Sequence, residues 1–198
     1  MLTREQTRSL LRDVNEDAQW LIRMVENILS ITRIHGEGQL AMNDEAAEEV
    51  VGEAARKFSK RFPGIRISVE VPDEVLLVPM DATLIEQVIL NLTENAAIHG
   101  GASEIRLRIE RDGAFAAFSV ADNGRGIEAE RMDSLFDVSR ISGSGSIDGK
   151  KNMGIGLSVC RAIVRAHSGA IEAGNQQGGG ACIRFRLPMR EALYADQG

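Results

Sequence analysis

The sequence predicts an α+β protein: an α/β sandwich with one mixed, mostly antiparallel sheet and helices on one face, preceded by one long helix of a helical bundle. Three observations predict it. Residues 4–34 carry apolar side chains in steps of three and four, with no internal Pro or Gly. After residue 38 the pattern changes to short alternating strands set between amphipathic helices. Turn residues then separate strands in the order expected of antiparallel neighbours, without a run of βαβ units.

The long helix comes first. Leu11, Val14, Ala18, Leu21, Val25 and Ile28 form a narrow heptad seam, which suits a bundle or coiled coil and cannot be buried by the helix alone. The other reading is a surface helix packed on the domain that follows; Arg12, Glu16 and Arg23 read as solvated, against it. Residues 1–35 are therefore set apart as a helix in need of partners, and 36–39, a Gly-Glu-Gly-containing break, as a linker. Residues 40–189 form the main domain and 190–198 a tail.

Within that domain residues 45–61 read as a helix, with Val50, Val51, Ala54 and Phe58 on one side. Residues 65–71 and 75–78 alternate as strands, and 82–99 form a strongly apolar helix. Residues 104–110 and 114–121 read as a hairpin around Asp112-Gly113. A short helix at 128–136, a Gly/Ser-rich stretch at 140–152 and a helix at 155–168 follow. Strands at 169–174 and 181–187, joined by a Gln-Gln-Gly-Gly-Gly turn, close the fold.

Composition narrows the function. Hydrophobic residues make up 43% of the 198 positions, enough for a real core. The net charge of −6 argues against a nucleic-acid binder that relies on phosphate neutralisation. Cys160 and Cys182 have no Cys or His at metal-ligand spacing and read as buried reduced thiols. The first residues show no signal-peptide pattern, and no apolar run reaches the roughly 20 residues a bilayer span needs. The expectation is a cytoplasmic segment, and its opening inside a helical pattern suggests a membrane-bound parent.

Three motifs carry chemistry. Asn91 and Asn95 share one face of the apolar helix, where an amide needs a partner. A neutral amide oxygen can complete the shell of a magnesium ion already chelated by a triphosphate; alternatively the two amides cap neighbouring backbone. Asp122-Asn-Gly124-Arg-Gly126-Ile follows a strand, with glycines that allow a sharp turn and an acid able to accept from an adenine amine. Residues 124–129 also fit the loose dinucleotide pattern, a weak signal without βαβ units. Gly154-Ile-Gly156-Leu157 opens a helix whose free N–H groups suit phosphate, with Lys150 and Lys151 just upstream. Simple helix–strand packing is the other reading of those glycines. A phosphate-binding P-loop fails here, because Ser144 stands where Gly is required and Lys151 where Ser or Thr should be. The stretch 140–152 between the glycine motifs reads as a lid over a ligand.

The order and spacing are more telling than any one motif. LIEQVILNLTENAAIHG, VADNGRGI, SLFDV, NMGIGLSVCRAIVRAHSGAI and GGGACIRFRLP resemble the successive N, G1, F and G2 boxes and closing strand of the ATP-binding catalytic domain of bacterial sensor histidine kinases. That Bergerat fold is shared with gyrase, Hsp90 and MutL. WLIRMVENILSITRI resembles the second helix of the family's dimerisation and phosphotransfer domain, in wording similar to KdpD-type kinases.

The resemblance implies ATP and Mg2+ as cofactors, with Asn95 on the magnesium and Asn91 beside it near the phosphates. Asp122 would hold the adenine N6, Gly124 and Gly126 would shape the pocket, and Gly154, Gly156 and Leu157 would admit the phosphates. His99 sits where the family often has Tyr or His against the nucleotide; a histidine favoured by the helix C-terminus is the other reading. It implies a homodimeric parent that phosphorylates a histidine and relays the group to an Asp of a response regulator. Ile98 and Ser139 depart from the family pattern, which keeps Phe136. His35, His99 and His167 all lack the family's phosphoacceptor context, so the acceptor helix is expected before residue 1. An ATPase of the same fold would need a carboxylate base four residues before Asn95, where Asn91 stands, and Glu94, adjacent to Asn95, faces about 100° away from it. A degenerate ATP-gated dimerisation or docking module is the remaining alternative.

Overall fold

The computed structural model describes residues 3–35, 40–137 and 155–190 of the chain. Helix α1 (Arg4–His35) leads, followed by strand β1 (Asn43–Ala46), helix α2 (Ala47–Arg61), strands β2 (Arg66–Glu70) and β3 (Leu77–Met80), and helix α3 (Ala82–Asn95). A π-helical turn, Ala96–Gly100, continues α3. Strands β4 (Glu104–Asp112) and β5 (Phe115–Asp122), helices α4 (Ala129–Met132) and α5 (Ile155–Ala166), and strands β6 (Ala170–Asn175) and β7 (Ala181–Pro188) complete the order.

The main sheet has five strands in the order β2-β4-β5-β7-β6, with β2 parallel to β4 and the other pairs antiparallel. Alternation sends Ile105, Leu107 and Ile109 of β4 inward, while Arg106 and Arg108 stay on the open face. Helices α2, α3 and α5 cover the inner face with Val51, Phe58, Ile85, Ile89, Val159 and Ile163, all at most 2% exposed. Phe118 and Phe185 stack across β5 and β7 with ring centroids 4.7 Å apart. The expected sandwich is therefore the observed one. Among the described residues no helix is long and apolar enough to cross a membrane.

Several boundaries move, for tertiary reasons. Residues 43–46 form β1 because they pair with β3, so α2 starts at Ala47 rather than 45. The same pairing shifts β3 two residues past the expected 75–78. Asp81 caps helix α3, its carboxylate accepting Leu84 N–H at 3.3 Å. The helix stops being α-helical at Asn95; Gly101, at φ +66°, ends the π turn in the left-handed region.

Helix α1 has two different faces. The seam stays exposed, Leu11 by 64% and Val25 by 55%. The opposite side of its C-terminal half packs on the main domain: Ile31 and Ile34 meet the core, and Asn27 and Ser30 are buried. Arg23 corrects its expected solvation. It lies 3.8 Å from Glu94, whose other oxygen pairs with Arg61 of α2. Burial, only partly offset by these arginines, raises the Glu94 pKa. Cys160 is fully buried as expected, whereas Cys182 is half-buried. The linker 36–39, the stretch 140–152 with Ser139, and tail residues 191–198 lie outside the described residues.

Candidate functional site

Helix α3 and its π turn form the spine of the site. At the turn's end, Gly100 lies against Asp122: a Cβ built on Gly100 would sit 3.6 Å from Asp122 Oδ1. One turn into α3 from Asn95, Asn91 faces the start of α5, and a Cβ on Gly156 would lie 3.9 Å from Asn91 Cγ. Asn95, half-buried, lies between these two contacts at the junction of α-helix and π turn. Such π turns recur at functional sites because the extra residue re-aims side chains. The three motifs far apart in sequence thus converge along one helix.

Asp122 ends β5, where the register leaves it beyond the Ala121–Cys182 pair and 8% exposed. Its Oδ1 accepts the N–H of Gly124 at 2.8 Å and of Ala181 at 3.3 Å. A carboxylate offers about four lone-pair sites, so acceptor capacity remains for a ligand amine. Gly124 is required by space: a Cβ there would stand 2.5 Å from the Gly100 carbonyl oxygen and 2.9 Å from Asp122 Oδ1. Gly126 has φ +76° and would bring a Cβ within 2.8 Å of Asn175 Oδ1. Both glycines are needed for close packing of this loop on Gly100, Asp122 and Asn175.

The β6–β7 turn, read from sequence only as a connection, helps to build the site. Asn175 accepts Ile127 N–H and donates to Ile127 C=O, both at 2.7 Å, pinning the loop after Gly126. Gln176 Nε2 donates to the Asp122 carbonyl at 2.7 Å. Gly180, at φ +87°, leaves no room for a Cβ against that carbonyl. The triple glycine at 178–180 was the one sequence signal for this close approach.

Asn91 reaches another helix rather than neighbouring backbone. The Asn91 amide donates to Asn27 Oδ1 of α1 at 3.1 Å, and Cys160 Sγ of α5 lies 3.8 Å from Val88 O of α3. Burial pushes the Cys160 thiol up to about 12. Leu157 is half-buried and packs on the core, while His99 is half-buried in the π turn. Phe136 also packs on the core, and Asp137 pairs with Arg161 of α5 at 2.7 Å. Lys150, Lys151 and Gly154 lie outside the described residues.

The residues present suit a nucleotide with a chelated divalent cation. Gly124 lets the loop pack directly on Gly100 and Asp122, Asp122 keeps acceptor capacity on its carboxylate, and α3 carries two side-chain amides whose oxygens are of the hard, neutral type such a cation takes.

The profile of the family described as histidine kinase-, DNA gyrase B-, and HSP90-like ATPase matches residues 80–191. Sensor protein KdpD of Clostridium acetobutylicum is 37% identical over 190 residues, 95% of this chain and 21% of that protein. Sensor protein KdpD of Escherichia coli is 36% identical over 175 residues, 86% of this chain and 19% of that protein. The chain thus spans about a fifth of the length of these curated relatives. Among solved structures, full-length ShkA in complex with AMPPNP superposes with a TM-score of 0.71 at 26% identity, over 96% of this chain and 40% of that one.

Proposed function

The chain belongs to the histidine kinase-, DNA gyrase B- and HSP90-like ATPase family, as an ATP-binding catalytic domain of the sensor-histidine-kinase type, and from that premise we propose how its parent works. The parent transfers the γ-phosphoryl group of ATP to a histidine outside this sequence, for relay to an Asp of a response regulator. It is a homodimer joined through α1, and this segment is the cytoplasmic part of a membrane-bound protein.

The observation that carries the reading is the convergence on α3: Asn91 beside Gly156 at one point, and Gly100 against Asp122 about two turns on. On this reading Asp122 accepts from the adenine amine and Gly124 and Gly126 hold the base against backbone. Asn95 offers its amide oxygen to Mg2+, with Asn91 near the phosphates and His99 at the nucleotide's edge. Gly154, Gly156 and Leu157 admit the phosphates at the start of α5, and Lys150 and Lys151 neutralise their charge. The bound metal supplies charge neutralisation; the protein's task is positioning. His167 is 1% exposed with both ring nitrogens engaged, so it is no phosphoacceptor. Glu94 is committed to Arg61 and Arg23, which speaks against a water-activating base and the ATPase alternative.

Calorimetric titration tests the site. Asp122→Asn and Asn95→Ala are each expected to weaken Mg-ATP binding by about 1–3 kcal/mol while leaving the fold intact. Wild type should prefer ATP to GTP, because guanine places an oxygen opposite Asp122. Unchanged affinity in both variants, or equal affinity for the two nucleotides, refutes the assignment.

A further inference from the structure

The nucleotide reading gives Asn91 a place near the phosphates, but an amide has two unlike ends. Its NH2 end suits a phosphate oxygen, whereas only its carbonyl oxygen suits the hydrated cation that Asn95 would hold beside it. Something must decide which end faces the site, and the structure supplies a device for it on a different element. Asn27 of α1 is 6% exposed, and its Oδ1 accepts from Asn91 Nδ2 at 3.1 Å and from Gln87 Nε2 at 3.3 Å. Gln87 is itself oriented, because Ser30 Oγ donates to its Oε1 at 2.6 Å. With Asn27 Oδ1 shared between two amide donors, the Asn91 nitrogen is held toward α1, and the planar amide turns its oxygen away from it.

We propose that Asn27 is a positioning residue for the nucleotide site: by accepting the Asn91 amide N–H, it fixes the Asn91 oxygen toward the metal-bearing phosphates. The inference rests on the placement of Asn91 near the phosphates. It has a consequence for the architecture. The matched ATPase region begins at residue 80, yet the orientation of one of its amides is set by the helix of the dimerisation unit. Docking of α1 and metal-dependent nucleotide affinity are thereby linked through one hydrogen bond.

The test uses the whole chain, titrated with AMPPNP in the presence of Mg2+ and again in EDTA, with thermal melts alongside. Asn27→Ala is expected to reduce the Mg2+-dependent gain in affinity about tenfold, the usual scale for an outer partner that orients a group at a metal site, and to leave binding in EDTA unchanged. Asn27→Asp keeps an acceptor oxygen and should retain the gain. Gln87→Ala removes a neighbouring α1 contact but keeps the Asn27–Asn91 pair, so it should retain the gain too. The proposal is overturned if Asn27→Ala keeps the full gain, or if it binds AMPPNP more tightly, as a helix acting as a cover would require. It is equally overturned if Asn27→Asp loses the gain, since the amide would then be turned the other way, or if Gln87→Ala loses as much as Asn27→Ala, since docking alone would explain both. Asn95→Ala and Asp122→Asn run in parallel. If they weaken binding while Asn27→Ala does not, only this inference falls; if they also leave binding unchanged, the site reading falls with it.

Discussion

The backbone N–H of Asp81 donates to Nε2 of His167 at 3.0 Å, joining the N-cap of α3 to the end of α5. Because that nitrogen accepts, the proton must sit on Nδ1, which faces Ile163 O at 2.8 Å. The ring is therefore a neutral bridge between the two helices that frame the site.

This bridge gives a pH dependence with a defined sign. Burial lowers the His167 pKa below its ordinary 6.5, against weaker opposing effects of the Ile163 carbonyl and of Asp81. The unfolded chain thus takes up a proton before the folded one does, so the contribution is intact above pH 6.5 and is lost progressively as pH falls below it. Urea unfolding at pH 7.5 and 5.5, two conditions about a unit either side of that value, should show the loss in wild type. His167→Leu should cost about 1–3 kcal/mol at the higher pH, from the orphaned Asp81 N–H, and show a smaller further loss at the lower pH. His35 and His99 are present in both proteins, so the difference isolates His167. Equal pH slopes would sink the assignment.

Two glycines give a matched pair of opposite expectations. Gly52 is exposed on α2, and a Cβ added there would meet nothing within 4 Å, so Gly52→Ala should stabilise by up to about 1 kcal/mol through helix propensity. At Gly124 the added carbon meets the Gly100 carbonyl and the Asp122 carboxylate instead. Overpacking of this kind costs about 1–3 kcal/mol, and the displaced Asp122 should lose ATP affinity at least about tenfold. Chemical denaturation and nucleotide titration of both variants decide it. A Gly124→Ala protein that binds like wild type would mean the loop is not the cradle described.

What the sequence revealed and what it hid divides along contact range. Asn91, Asn95, Asp122, Gly124 and Gly156 stand out in the sequence because each sits in a short local pattern, and the structure brings Asn91 to Gly156 and Asp122 to Gly100 and Gly124. The sheet was legible because alternation and turn residues are local as well. Arg23 was misread because its partner, Glu94, lies on another helix, and periodicity within α1 cannot announce a partner elsewhere. Asn27 and Gln87 were missed for the same reason. The π turn at Ala96–Gly100 was hidden because one inserted residue barely disturbs an apolar pattern, and β1 because its strand conformation comes from pairing with β3.

The exposed seam of α1 yields the last expectation. Val14, Leu21, Val25 and Ile28 are each 48–58% exposed, while Asn27 and Ser30 on the docked side are buried. At about 100° per residue, Val25 and Asn27 point roughly 200° apart, so the seam is available to a second copy without undocking the helix. A heptad strip of this kind is stabilised only by a partner. Sedimentation equilibrium should therefore show concentration-dependent self-association of the chain, and Leu21→Glu with Val25→Glu should abolish it by placing charge in the seam. Nucleotide affinity should be unchanged in that double variant, because the Asn27–Asn91 contact lies on the other face. A wild-type chain that stays monomeric at every concentration would remove the seam as a self-association surface, and a double variant that lost nucleotide binding would show that the two faces of α1 are not independent.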